Sequence, residues 1–304
     1  MDYKGVDAVF TKLTPVLGLL AGATVWGLIW YPYRALEQAG IAGDLAATLS
    51  YALALIPALV LFRRRLAWRQ VTPALVATAL SAGWANIGFT WAVIYGDVMR
   101  VVLLFYLAPV WTVLFARLLL DEKLSLAGFG LMLLAFGGAV VMLWDPRMSL
   151  PLPQSTAEWI GLSAGMMFAL SNVLARKLAA TAVEARVIAV FAGGAILGAC
   201  SVVLNAPAPV ISGVLISNAG LLLLLALVIF SVNIAVQHGL ANIAANRAIV
   251  IYLFELVVTA ISTWLLAGET LNAKEWLGGA MIIAAGLWSE RLAARPADLS
   301  GRQG

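Results

Sequence analysis

The sequence predicts an all-α polytopic membrane protein of ten transmembrane helices, arranged as two inverted five-helix repeats. Three observations lead there. Of 304 residues, 63% are hydrophobic and 11% are charged, against about 45–50% and about 25% in soluble globular chains. The apolar residues gather into runs of the length needed to cross a bilayer, roughly 20 residues each. The chain also matches itself when displaced by 147 positions.

The composition excludes several function classes before any motif is sought. A soluble domain of this size cannot hide so much apolar surface, because its interior grows more slowly than its supply of apolar side chains. The net charge of +4 does not indicate nucleic acid, since the basic residues are spread through short gaps rather than clustered on one face. One cysteine, Cys200, and one histidine, His238, leave no internal disulfide and no Cys/His zinc set. Neither a phosphate-binding glycine loop nor a paired-carboxylate constellation is present, so no cofactor, no metal and no catalytic role are expected.

The ten runs are 14–34, 43–62, 73–95, 100–120, 126–144, 158–178, 185–204, 219–239, 245–267 and 274–292. The gaps hold most of the charges and turn formers such as Asp145-Pro146 and Pro207-Ala208-Pro209. The first run exceeds a signal-peptide core and lacks a small-residue cleavage site, so it is expected to be retained. With the N-terminus inside, 15 of the 19 Lys and Arg fall on inner segments, and only Arg34, Arg100, Arg147 and Lys274 fall outside. The positive-inside rule therefore expects both termini in the cytoplasm.

Displacement by 147 places Asn86 on Asn233, Arg100 on Arg247, Leu119 on Leu266, Glu122 on Glu269 and Leu124 on Leu271. A shift of 143 places Gly18-Leu19-Leu20-Ala21-Gly22 on Gly161-Leu162-Ser163-Ala164-Gly165. Polar coincidences carry the weight, because polar residues are scarce in this alphabet. The two repeats are expected at 14–144 and 158–292. Five spans is an odd number, so the second copy enters the membrane upside down, the arrangement found in many secondary transporters.

Three polar groups fall near the expected midplane: Asn86, Asn233 and Glu255. Ionisable residues inside a span are costly and mark pathways, although each amide also serves as glue between helices. Glu255 has no basic residue within one turn of its own span, so its partner comes from another helix, from water, or from a proton. As a carboxylate it holds a substrate ammonium; as an acid it couples protons; in the structural alternative it only accepts bonds from neighbouring helices. Asn172, Ser171, Gln237 and His238 follow, the last as a solvated helix-end residue. Trp68, Trp144, Trp159, Trp276 and Trp288 fit an interfacial belt. Within spans, Trp26 and Trp84, with Tyr106, Phe168 and Phe230, are candidates for an aromatic wall, against helix packing or lipid contact as the alternative. Trp84 lies on a different face from Asn86, whereas Phe230 shares a face with Asn233. The candidate substrate-binding set is thus Asn86, Asn233, Glu255, Phe230, Trp84, Tyr106, Phe168, Asn172 and Trp26. Pro32, Pro57 and Pro109 are expected hinges, and Asn272–Glu275 reads as a capping box.

Tyr106-Leu107-Ala108-Pro109-Val110, leading to Leu120-Asp121-Glu122-Lys123-Leu124-Ser125, and Leu266-Ala267-Gly268-Glu269-Thr270-Leu271 in the second half, resemble the EamA-like branch of the drug/metabolite transporter superfamily. The resemblance extends over the whole chain. Its second half departs from the family pattern, with Glu255 and Leu256 where a proline matching Pro109 is common. Within the superfamily the chain is similar to YddG-type aromatic amino-acid exporters. That resemblance implies export of aromatic, and other neutral, amino acids by alternating access across a bacterial inner membrane. Export of another small metabolite or drug, and a passive channel, stand as alternatives. The expected partners are the small-molecule substrate and the lipid bilayer, not nucleic acid. The oligomeric state is left open, a monomer being compatible.

Overall fold

The computed structural model describes residues 3–64, 71–144, 152–205, 212–268 and 270–294. The turn residues 145–146 and 207–209, and Glu269 of the repeat match, lie outside them. Among the described residues the chain is helical without strands. The helices are α1 (Tyr3–Leu28), α2 (Trp30–Gln38), α3 (Gly43–Phe62), α4 (Pro73–Tyr95), α5 (Val98–Phe105), α6 (Ala108–Leu120) and α7 (Leu126–Leu143). They continue as α8 (Thr156–Lys177), α9 (Val183–Asn205), α10 (Ser212–Ser217), α11 (Ala219–Asn242), α12 (Ala245–Tyr252), α13 (Phe254–Ala267) and α14 (Ala273–Ala294).

Eight segments of the described chain are long and apolar enough to span a membrane. The helices α4 and α14 occupy the remaining two of the ten expected positions. They fall below that mark because α4 carries Thr78, Ser81, Asn86 and Thr90 and α14 ends in Ser289-Glu290-Arg291. The outward faces are apolar, with Leu118, Ile196, Val203, Leu227 and Leu287 all exposed. This is a polytopic all-α membrane fold.

Helix starts follow local chemistry. Thr72, Asp97, Ser125 and Ser155 each accept a bond from the backbone N–H three residues on, at the N-termini of α4, α5, α7 and α8, satisfying donors that a helix cannot pair internally. At α14 the Asn272 N–H donates to Glu275 (2.7 Å), the reciprocal arm of the expected box.

Three expected spans are each broken in two. The breaks fall at Ile29, at Tyr106–Leu107 and at Leu253. The last two correspond under the 147-residue shift. Val98–Phe105 maps onto Ala245–Tyr252 over its full length, and the ends of α4 and α6 map onto the ends of α11 and α13. Even the C-caps agree: Asp121 (φ 54°) and Gly268 (φ 69°) both adopt the left-handed conformation and donate to Ala116 and Thr263 carbonyls, themselves 147 apart. Glycine takes that conformation freely, and aspartate tolerates it. At both breaks the chain tightens to i→i+3 bonds, Leu107 N to Leu104 O and Val110 N to Leu107 O in one, Leu256 N to Leu253 O in the other. Pro109 lies in the first turn after the first break, and Pro32 in the first turn of α2. The second break forms without proline. Pro57, in contrast, sits inside an unbroken α3, as membrane helices allow when neighbours take up the freed carbonyl.

The most extensive helix pairings join the first segment to the second: α4 with α8 and α9, α3 with α9, α1 with α11, α6 with α8, and α7 with α14. Small residues let these backbones approach closely. Gly18 faces the Ala235 carbonyl, Gly165 the Phe105 carbonyl, Gly193 the Ala79 carbonyl, and Gly138 and Gly278 face one another. Three indole N–H groups cross the same seam: Trp30 to Ser262 (2.9 Å), Trp84 to Ser163 (3.0 Å) and Trp91 to Ser201 (2.7 Å). For the last pair, Trp91→Phe and Ser201→Ala are each expected to lower stability by roughly 1 kcal/mol. Thermal unfolding in detergent should show the double variant no less stable than the worse single one.

Candidate functional site

The breaks in the two corresponding spans are bridged by one polar side-chain contact. Tyr106, at the end of α5, sets its hydroxyl against the carboxyl of Glu255, in the first turn of α13, close enough for the two groups to interact. Glu255 is half-buried. The partner thus comes from another helix, one of the alternatives its sequence setting left open. Tyr252, one turn earlier, lies within electrostatic reach of the same carboxyl. The Glu255 backbone carbonyl faces Gly27 of α1, where no side chain intervenes.

A train of rings runs from this bridge. Phe105 sits 5.6 Å from Tyr106, 4.7 Å from Phe89 and 5.6 Å from Phe168, and Phe168 is 5.6 Å from Tyr252, all between ring centroids. Trp26, Trp111 and Phe115 pack on the core that includes Tyr252. Four of the nine candidates, Tyr106, Glu255, Phe168 and Trp26, therefore lie in one neighbourhood. Asn172, one turn beyond Phe168 on α8, has a covered Nδ2 with no partner among the described residues.

Asn86 and Phe230 belong to a second ring group. The Tyr51 hydroxyl donates to Asn86 Oδ1 (2.8 Å), while Asn86 Nδ2 donates to the Ala82 carbonyl of its own helix. Tyr51 is 6.1 Å from Phe191, which lies 6.3 Å from Phe230. Asn233 is buried on α11, its Oδ1 without a partner among the described residues. It stands one turn from Phe230, in the second group, and one turn from Val236, in the first. Asn233 is buried, and Asn86 is half-buried with its amide held by Tyr51 and Ala82. They do not bond each other, but their helices share α3, α8 and α9 as neighbours. Trp84 stands apart, its indole held by Ser163 and stacked near Gly88. His238 is exposed near the end of α11, whereas Gln237 and Ser171 are buried.

Sequence reasoning did not single out Tyr51 or Tyr252. Both are tyrosines inside apolar runs, and a hydroxyl in such a run needs a partner; that was the available signal. It also read Arg100 as a topology marker and a repeat match, not as a member of an ion pair. Arg100 forms a two-point ion pair with Glu158, Nε to Oε1 and Nη2 to Oε2, each 2.9 Å. At the opposite end of α8, Arg176 meets Glu122 at 3.4 Å and donates to the Ala241 carbonyl. Glu122 Oε2 also accepts from the Ala245 N–H (2.9 Å), capping α12, whose own N-cap residue supplies no side-chain bond.

Residues 13–144 match the model of the EamA-like transporter family. The first half of the chain is EamA-like. With eight helices able to cross a bilayer, the chain is a multi-pass membrane protein whose first half is similar to that family. No curated protein matches the sequence. A crystal structure 16% identical to the chain aligns over 92% of it and 99% of its own length with a TM-score of 0.74, a likeness of fold. The local sequence motifs that pointed to the EamA-like transporters fall partly inside the matched segment, from Tyr106 to Ser125.

Proposed function

We propose that this chain is an EamA-like transporter that exports aromatic amino acids across a bacterial inner membrane by alternating access, with both termini cytoplasmic and the two halves acting as inverted repeats. The observation that carries the reading is the pair of corresponding helix breaks, at Tyr106–Leu107 and Leu253, with Tyr106 and Glu255 facing each other across them. Interrupted helices at matching positions of two repeats are the best pointer to a transporter's binding site. A carboxylate there suits an ammonium, and the Phe105–Phe168–Tyr252 rings suit an aromatic side chain. Asn86, Asn233, Asn172, Phe230, Trp84 and Trp26 complete the proposed lining.

The motion is pivoting of short half-helices about the breaks. Opening one end parts Arg100 from Glu158, and opening the other parts Arg176 from Glu122. Substrate ammonium displaces the Tyr106 hydroxyl from Glu255 and thereby frees the two breaks to move.

The test is flux in proteoliposomes with a panel of amino acids. Tryptophan and phenylalanine should saturate and counter-exchange, and lysine and glutamate should not move. Glu255→Gln keeps the shape and removes the charge, and is expected to lower flux at least about tenfold, on the order of one lost charge-assisted bond. Wild-type flux in this variant, with normal elution in detergent, excludes the Glu255 role. Flux that never saturates turns the reading to a channel.

A further inference from the structure

We propose that Trp111 Nε1 and Asn172 Nδ2 form a paired-donor cradle for the carboxylate of an amino-acid ligand, opposite the Glu255 carboxyl that takes its ammonium. The proposal rests on the amino-acid transport reading above and adds the recognition of the second charge.

Two observations carry it. Both nitrogens are covered, and neither has a hydrogen-bond partner among the described residues. A buried donor left unpaired is costly, and an indole N–H in particular normally finds an acceptor. The two donors also lie at the same level of adjacent helices. Along the α5–α6 and α8 seam, Arg100 meets Glu158, the Phe105 carbonyl faces Gly165, Ala116 packs with Val173, and Glu122 meets Arg176. The strands of contact advance together, so the helices run in the same direction, and Trp111 stands opposite the turn from Ala169 to Asn172. Ala108 and Ala169, one turn before Trp111 and Asn172 respectively, share one core cluster, on which Phe168 and Trp111 also pack.

Two neutral donors left without a partner among the described residues suit an anionic or carbonyl oxygen pair, while across Phe168 and Tyr252 the Glu255 carboxyl is an acceptor. A zwitterion with an apolar ring matches that order of groups. The nitrogens are sealed in this arrangement, so a ligand meets them only when the helices part. A site built to hydrogen-bond a group discriminates strongly against analogues that lack it, because the donors are then left buried and unpaired.

The experiment uses the full-length chain in detergent, with binding of tryptophan and of tryptamine, which lacks the carboxylate, measured by calorimetry. Wild type should bind tryptophan about tenfold or more tighter than tryptamine. Trp111→Phe and Asn172→Leu should each weaken tryptophan by about tenfold and leave tryptamine unchanged. Asn172→Asp, nearly the same shape, should weaken tryptophan more than Asn172→Leu, because it sets a like charge against the carboxylate. If the variants weaken both ligands equally, the residues act on packing and the cradle is refuted. If wild type binds tryptamine as tightly as tryptophan, the cradle is refuted while the transporter reading stands. If it binds neither, both readings fall.

Discussion

Gly193→Leu is expected to abolish recovery of folded protein, whereas Gly130→Leu should leave it unchanged. Gly193 lies where α9 crosses α4, and a Cβ there overlaps the Ala79 carbonyl; Gly83 answers it from α4 against the Gly193 carbonyl. Because the obstacle is backbone on both sides, no rotamer change relieves it, and the two helices must separate. Overpacking a rigid interior ordinarily costs about 1–3 kcal/mol, and here the same displacement also loosens Gly194 from Tyr51 and Gly198 from Thr48 on the neighbouring seam with α3. Summed along the crossing, the loss takes a large share of a stability on the order of 5–15 kcal/mol. At Gly130 an added Cβ meets nothing within 4 Å. Size-exclusion profiles of fluorescently tagged variants in mild detergent separate the two outcomes. A monodisperse Gly193→Leu peak at wild-type yield would show that α4 and α9 are not in backbone contact.

The second large effect concerns the two ends of α8. The Arg100 and Glu158 side chains are 13% and 6% exposed, against 32% and 19% for Arg176 and Glu122. Glu158 further accepts from the Gln154 N–H, and Arg100 donates to the Leu152 carbonyl. Removing one member of a buried pair leaves the other uncompensated, at a cost of about 3–5 kcal/mol; the more solvated Arg176–Glu122 pair loses less, toward the roughly 0–1 kcal/mol of a fully exposed pair. Glu158→Gln is therefore expected to lower thermal stability far more than Arg176→Gln, and with weaker dependence on salt. Exchanging the charges, Arg100→Glu with Glu158→Arg, should recover part of the loss, the remainder reflecting the backbone bonds that the exchange cannot rebuild. A thermal double-mutant cycle at low and high salt measures each term. Equal losses for Glu158→Gln and Arg176→Gln would mean that both pairs are solvated.

Much of this fold is legible in the sequence because a bilayer imposes length and polarity on every element. The runs at 43–62 and 126–144 coincide with α3 and α7 within one residue, and the 147-residue displacement found through Asn86, Arg100 and Glu122 reappears in helix ends and C-caps. The breaks were harder to see. Pro109 marked one of them, but at Leu253 the interruption is a local change from i→i+4 to i→i+3 bonding that leaves hydropathy untouched. Pro57 shows the converse, a proline that bends no boundary into the helix. Side-chain direction was the other obscure quantity. Within a helix apolar on all sides, periodicity does not say which face meets protein. So Trp84, placed with the candidates on chemistry, is tied to Ser163, and the Phe230 side chain joins Phe191 and Tyr51 rather than the rings around Tyr106. Glu255 could be singled out from its isolation in the sequence, while Tyr106 as its partner depends on two breaks meeting in space.

The crossing of small-residue seams between the segments has a consequence for biogenesis. The ribosome delivers α1 to α7 before any of their principal partners. During that interval the grooves around Gly18, Gly83 and Gly138, and the indoles of Trp30, Trp84 and Trp91, have only acyl chains or the insertion machinery to lie against. Each arriving helix of α8 to α14 then closes one of them, with α14 against α7 closing last. Docking of the first segment therefore waits on the second, helix by helix, and the first half is not completed before the second begins.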